Sequence, residues 1–133
     1  LYTSNTPTAQ EIKSGWFSNA NAATNIIETL RKFIKDYPKL DILFTEFGYR
    51  SVDFSGREPW KSDRYKSTAN LIAQNNTTTA LFETFWKEDW FSGGFIWKWF
   101  HKHSEVGGEN NNRFTPQNKP AEVLLRSLYK QAP

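Results

Sequence analysis

The sequence predicts an α/β fold: the C-terminal part of a (β/α)8 TIM barrel, about the last two βα units plus the preceding helix. Three observations lead there. Apolar segments follow in the order helix, strand, helix, strand, helix, which implies parallel strands joined by right-handed crossovers. The first strand segment is apolar or β-favouring over nearly its whole length, the pattern of a strand buried on both faces. Two parallel strands alone would each expose an edge, and a whole barrel takes ~250 residues, far more than the 133 present. The missing units are expected on the N-terminal side, because the last helix runs close to the end of the chain. Residues 1–133 are then one segment of a single barrel. A small three-layer α/β domain is the alternative.

Each element has its own signal. Pro7 suits the first position of a short helix capped by Thr6, with Glu11 in its early turns and Gly15 weakening it near its end. A stronger helix is expected over about 20–36, where Ala23, Ile26, Ile27, Leu30, Phe33, Ile34 and Tyr37 form one apolar stripe and Pro38 marks the stop. The run Ile42 to Phe47 reads as a buried strand with one exception, Glu46, at its C-terminal end. A long loop over 48–62 carries Gly48, Gly56 and Pro59, and long loops in compact domains are often functional. A helical region over about 64–88 is weak in its middle, Asn75 to Thr79, and reads as one helix or two short ones. Its clearest packing face is Leu81, Phe82, Phe85 and Trp86. Gly93 to Phe100 reads as the second strand, with Phe95, Trp97 and Trp99 on one face by the period of two. After a polar loop over about 101–118, Pro120 opens a last helix with Ala121, Leu124, Leu125, Leu128 and Tyr129 on one side.

Composition narrows the function. Aromatic residues make up 17% of the chain, with six Trp. Such rings fill cores, and they also line sugar-binding clefts, where a flat aromatic face meets the C–H face of a pyranose. The net charge is only +3, and the basic residues are interspersed with acidic ones, so no nucleic-acid stripe is visible. The short basic cluster of Arg57, Lys61, Arg64 and Lys66 reads as a solvated loop and helix start. With no Cys, disulfides and thiol catalysis are excluded. No apolar run approaches the ~18 residues of a membrane span. Neither a glycine-rich phosphate loop nor a G-x-S-x-G elbow is present.

A carboxylate at the C-terminal end of a buried parallel strand is costly without hydrogen bonds or partners, and that rim is where barrel enzymes carry their chemistry. Glu46 is therefore the candidate catalytic residue; a structural pairing with Arg50 is the alternative. Hydrolysis of glycosides with retention needs two carboxyl groups about 5–5.5 Å apart, and Glu46 fits the nucleophile. No other acid sits at a strand end: Asp53, Glu58, Glu88 and Asp89 fall in loops or near helix ends. The acid/base partner is thus expected outside the chain. Trp97 or Trp99 is a candidate sugar platform, and Lys98 either pairs with a buried acid or contacts sugar hydroxyls. His101 and His103 share a spacing that could bind metal, but no further ligands accompany them, so they read as polar loop residues.

The pieces Thr45-Glu46-Phe47-Gly48-Tyr49-Arg50-Ser51, Pro59-Trp60, Gly94-Phe95-Ile96-Trp97-Lys98-Trp99 and Phe114-Thr115-Pro116-Gln117-Asn118-Lys119-Pro120-Ala121 together resemble glycoside hydrolase family 113. The opening, Tyr2 and Pro7 to Trp16, resembles the segment after that family's sixth strand. The resemblance implies a clan A retaining barrel acting as a β-mannanase. It implies Glu46 as nucleophile on strand seven, aromatic sugar contacts from strand eight, and an acid/base Glu on strand four. Tyr49, Arg50, Trp60, Trp97, Lys98 and Trp99 stand in the matching pieces as substrate-binding candidates. No metal or organic cofactor is expected. The expected partners are an oligosaccharide or polysaccharide substrate and the missing N-terminal half of the barrel. The isolated chain is expected to be inactive. Another clan A hydrolase of a different β-glycan, a carbohydrate-binding protein on the same scaffold, or a protein-interaction module using the two long loops are the competing readings. A polymer substrate points to a secreted or cell-envelope location; a cytoplasmic enzyme acting on imported oligosaccharides is the alternative.

Overall fold

The structure, a computed structural model, describes residues 4–17, 25–60 and 67–130. The elements run α1 (Ala9–Phe17), α2 (Ile26–Asp36), β1 (Ile42–Phe47), α3 (Leu71–Phe85), β2 (Phe91–Ile96), a 3₁₀ turn (His103–Glu105) and α4 (Pro120–Lys130). β1 and β2 pair in parallel, with Ile42 opposite Phe91, Phe44 opposite Gly94 and Phe47 opposite Ile96. The expected alternation and parallel pairing are therefore present.

Local chemistry explains the helix starts. α1 opens on a capping box: Glu11 N–H donates to Thr8 Oγ1 at 3.2 Å, and Thr8 N–H donates to Glu11 Oε2 at 2.8 Å. The cap is thus Thr8, not Thr6, because only Thr8 stands three residues before a glutamate that can answer it. Asn25 caps α2 by accepting from Glu28 N–H, and Asn70 caps α3 by accepting from Ala73 N–H. α4 begins at Pro120 as expected, where the absent N–H is no loss. The expected starts of the second and third helices, together with Tyr2, Ala23, Lys61, Arg64 and Lys66, lie outside the described residues.

The helices pack on one face of the sheet. Ile27 from α2, Leu81, Phe82 and Phe85 from α3, Trp90, and Leu125 from α4 form the buried cluster, and Ile42, Phe44, Phe47, Phe91 and Ile96 meet it from the strands. Phe44 sits edge-on to both Phe85 and Phe91, with ring centroids 4.9 and 4.8 Å apart. The other sheet face is open. Leu43 is 49% exposed and Phe95 64%. Burial on both faces, expected from the apolar run, does not occur, because the described helices cover one side only. The α2 stripe is likewise split: Ile27 is buried, whereas Ile26, Phe33 and Tyr37 are exposed.

The middle of α3 does not break. Thr77 and Thr78 return their hydroxyls to backbone carbonyls at Ala73 and Gln74, and Asn76 Nδ2 donates to Pro7 O at 2.9 Å. These side chains are anchored to backbone groups, so the polar stretch is a tie between α3 and its neighbours and the helix runs through it.

Phe85 touches the sheet, Trp16 and Trp90. Phe85→Ala should cost about 3–5 kcal/mol in urea unfolding of the protein carrying this chain, against a change within about 0.5 kcal/mol for the exposed Ile72→Ala.

Candidate active site

The site is built where β1 and β2 end. Trp97 N–H donates to Phe47 O at 2.7 Å, one step beyond the strand pairs, so the two chains leave the sheet side by side. Gly48 makes this approach feasible: a Cβ there would overlap the Trp97 carbonyl oxygen. β2 stops at Ile96, earlier than the expected Phe100. Trp97, Lys98 and Trp99 therefore lie in the segment after the strand rather than alternating along it, because β1 offers no strand partner beyond Phe47. The Trp97–Lys98 peptide is cis.

A cleft of about 1030 Å³ opens beside these strand ends. Glu46, Tyr49, Trp60, Trp97 and Lys98 all line it, with Pro59, Phe100 and Arg113 to Thr115. Among the described lining residues Glu46 is the one carboxylate. It is solvent-exposed and, among the described residues, carries no hydrogen bond or ion pair. Lys98 Nζ lies 4.7 Å from the centroid of the Trp97 ring, a cation–π contact. Trp60 is 76% exposed.

Two of the candidates stand apart from the cleft. Arg50 is buried, and its Nε donates to Asn112 O at 3.2 Å. Trp99 is half-exposed and does not line the cleft. Of the loop acids, Asp53 accepts from Asn5 and Asn70, and Glu88 pairs with Arg31. His103 pairs with Glu122 at 2.8 Å. Among the described residues, no group of three or more His, Asp or Glu could hold a metal ion.

Buried amides fix the walls. Gln74 Nε2, on α3, donates to Tyr49 O and Phe114 O, each at 2.9 Å, and so ties the loop after β1 to the segment before α4. Gln117 holds Phe100 at both backbone groups, accepting from its N–H at 2.6 Å and donating to its carbonyl at 2.9 Å. Both glutamines are almost fully buried, so each bond replaces one that water would otherwise make. Lys119 Nζ donates to Ser51 Oγ and Arg113 O, and burial pushes its pKa down to about 8.

Residues 9–119 match the pattern of Glycoside Hydrolase Family 113. The chain belongs to that family. Solved structures of the same fold include the family 113 β-mannanase AaManA from Alicyclobacillus acidocaldarius in complex with ManMIm. It is 23% identical, with a TM-score of 0.67 over 89% of this chain and 36% of that one. A family 113 β-1,4-mannanase gives 21% identity and a TM-score of 0.70 over 90% and 36% of the two chains. A complex of a family 113 β-1,4-mannanase gives 23% and 0.68 over 80% and 34%. The chain thus spans about a third of the length of these structures and is a partial α/β piece of their fold. Comparison with curated proteins gives no match.

Within this family 113 chain, sequence reasoning missed Phe100, Arg113, Phe114 and Thr115 as lining residues, and Gln74 and Gln117 as their anchors. The available signals were the Phe114 to Ala121 piece, to which no chemical role was attached, and the polar stretch inside an otherwise helical region.

Two predictions follow from this geometry. Gly48→Ala should destabilise the protein by about 1–3 kcal/mol in thermal unfolding, because the methyl group meets backbone that cannot yield. Gly15→Ala, with open space around the added carbon in α1, should instead stabilise by up to about 1 kcal/mol. The second concerns acid. Burial alone would raise the Glu122 pKa. The Asn118 N–H, Arg126 and His103 together outweigh it and hold the carboxyl at about 2, below its ordinary 4.5. Its contribution to stability is complete above pH 4.5 and is lost as pH falls towards 2. In acid titrations followed by circular dichroism, Glu122→Gln should be the less stable protein at pH 6, and its deficit should shrink between pH 4.5 and 2.

Proposed function

We propose that this chain supplies the nucleophile side of a retaining hydrolase of β-1,4-linked mannan or mannooligosaccharides. One observation carries the reading: Glu46, at the C-terminal end of β1, lines an aromatic cleft, and among the described residues no cation or donor engages its carboxylate. A carboxylate left unengaged in such a place is ready to attack an anomeric carbon. Family membership and the mannanases of like fold support the substrate class.

In this reading the chain forms about the last two βα units of the barrel, with β1 and β2 as strands seven and eight. The open sheet face carrying Leu43 and Phe95 then faces the barrel interior, and the remaining strands close the exposed edges. Retention requires a second carboxyl about 5–5.5 Å from the first, which protonates the leaving oxygen and then activates water. Among the described residues no lining residue other than Glu46 can serve, and the family resemblance puts the acid/base on strand four, outside this chain. Trp97 and Trp60 offer apolar faces to pyranose rings, and Tyr49 and Lys98 offer donors to their hydroxyls. Arg50 serves beneath the site, through the loop it holds at Asn112. The chemistry calls for no cofactor. A polymeric substrate fits a secreted or cell-envelope location; among the described residues no helix is long and apolar enough to cross a membrane.

Glu46→Gln in the full enzyme should abolish cleavage of β-1,4-mannooligosaccharides by at least about a thousandfold while the melting temperature holds, since one of two essential carboxyls is gone. Near wild-type turnover would sink the assignment. Trp97→Ala should raise KM through loss of the platform. Trp99→Ala, outside the cleft, should act mainly on stability, and equal kinetics for the two variants would count against a platform at Trp97.

A further inference from the structure

The segment 111–114 is held in an unusual way. Four consecutive carbonyls accept from side chains, three of them from distant residues: Asn111 O from Ser51 Oγ at 2.6 Å, Asn112 O from Arg50 Nε at 3.2 Å, Arg113 O from Lys119 Nζ at 2.8 Å, and Phe114 O from Gln74 Nε2 at 2.9 Å. All four donors are buried, none more than 6% exposed. Loop carbonyls ordinarily face water. Replacing water at four in succession with buried polar groups, a lysine among them, carries a desolvation cost that a mere connection does not need.

What this fixed backbone presents is Arg113. The residue lines the cleft that also holds Glu46 and Trp97. Its N–H is bound to Asn111 Oδ1 and its carbonyl to Lys119, so the polar group it keeps available for a ligand is its side chain. Among the described residues its guanidinium has no hydrogen bond or ion pair. Arginine donates through a planar fork, and holding its backbone leaves less freedom to lose when the fork closes on a ligand.

We propose that Arg113 is a substrate-binding residue whose guanidinium donates to two hydroxyl oxygens of a neutral hexose unit in the cleft, with Gln74, Ser51 and Lys119 as positioning residues that aim it. The proposal rests on the glycan-hydrolase reading of the cleft and adds a specificity residue to it.

The test is steady-state cleavage of β-1,4-mannooligosaccharides by the full enzyme. Arg113→Ala should raise KM at least about 10- to 100-fold, since at least one charge-assisted bond of the fork is lost without replacement, with kcat changed far less and the melting temperature unmoved. Arg113→Lys should recover only part of the loss, because a point charge does not reproduce the fork. Lys119→Met, which removes the donor to Arg113 O, should raise KM in the wild-type background but add nothing in the Arg113→Ala background, an effect that a purely structural role would not show. Unchanged KM for Arg113→Ala in an enzyme that cleaves the substrate would overturn the proposal and leave the role of Glu46 intact. Absence of cleavage by the wild-type enzyme would overturn both.

Discussion

The contact on which the site depends is backbone against backbone. Phe47 O accepts from Trp97 N–H, and the bare Cα of Gly48 lies against the Trp97 carbonyl. This contact makes two parallel strands end at the same level and part in step. Glu46, one residue before Phe47, and the Trp97 ring then border one cleft, although 51 positions separate them in the chain. A side chain at position 48 would push the strand ends apart, and the carboxylate and the ring would no longer share a wall. The aromatic contacts of Phe44 with Phe85 and Phe91 hold the strands against the helix layer with no such directional demand, and Phe44 and Phe85 line the same cleft.

Around that contact the chain uses buried polar groups where a simpler fold would use apolar ones. Gln74, Gln117, Ser51 and Lys119 are each nearly inaccessible to solvent, and each is bonded to backbone of a lining segment. Apolar packing would give similar or greater stability but would tolerate small slides of one loop past another. A hydrogen bond to a named carbonyl does not. Lys119 shows what this costs: burial lowers its pKa to about 8, so below that pH the fold carries an ammonium with less water than it would have unfolded. The stability penalty is present below about pH 8 and is relieved as pH rises towards 10.5, the reverse of the Glu122 case.

Much of the frame was legible in the sequence, for specific reasons. The parallel order followed from alternating periods, Pro120 marked the start of α4, and Glu46 stood out as a charge at the end of an apolar strand. The errors have physical causes as well. Trp97 to Phe100 has strand-like composition, but strand preference is a preference for a packed, pleated surface, and β1 offers no partner beyond Phe47. The polar middle of α3 read as a weak point because propensity counts side chains as if solvated, whereas Thr77 and Gln74 are buried and bonded. Arg113 was hidden for a different reason. Its environment is set by Lys119 and by donors at positions 50, 51 and 74, and no local pattern joins those three to residue 113.

Trapping a glycosyl-enzyme intermediate is the decisive measurement for the proposed role of Glu46. The full enzyme would be treated with an activated fluorinated mannoside that attaches faster than it is released, then digested and analysed by mass spectrometry. One added sugar is expected on the peptide containing Glu46, and none in Glu46→Gln. A sugar carried by any other residue, with Glu46 unmodified, would contradict that role.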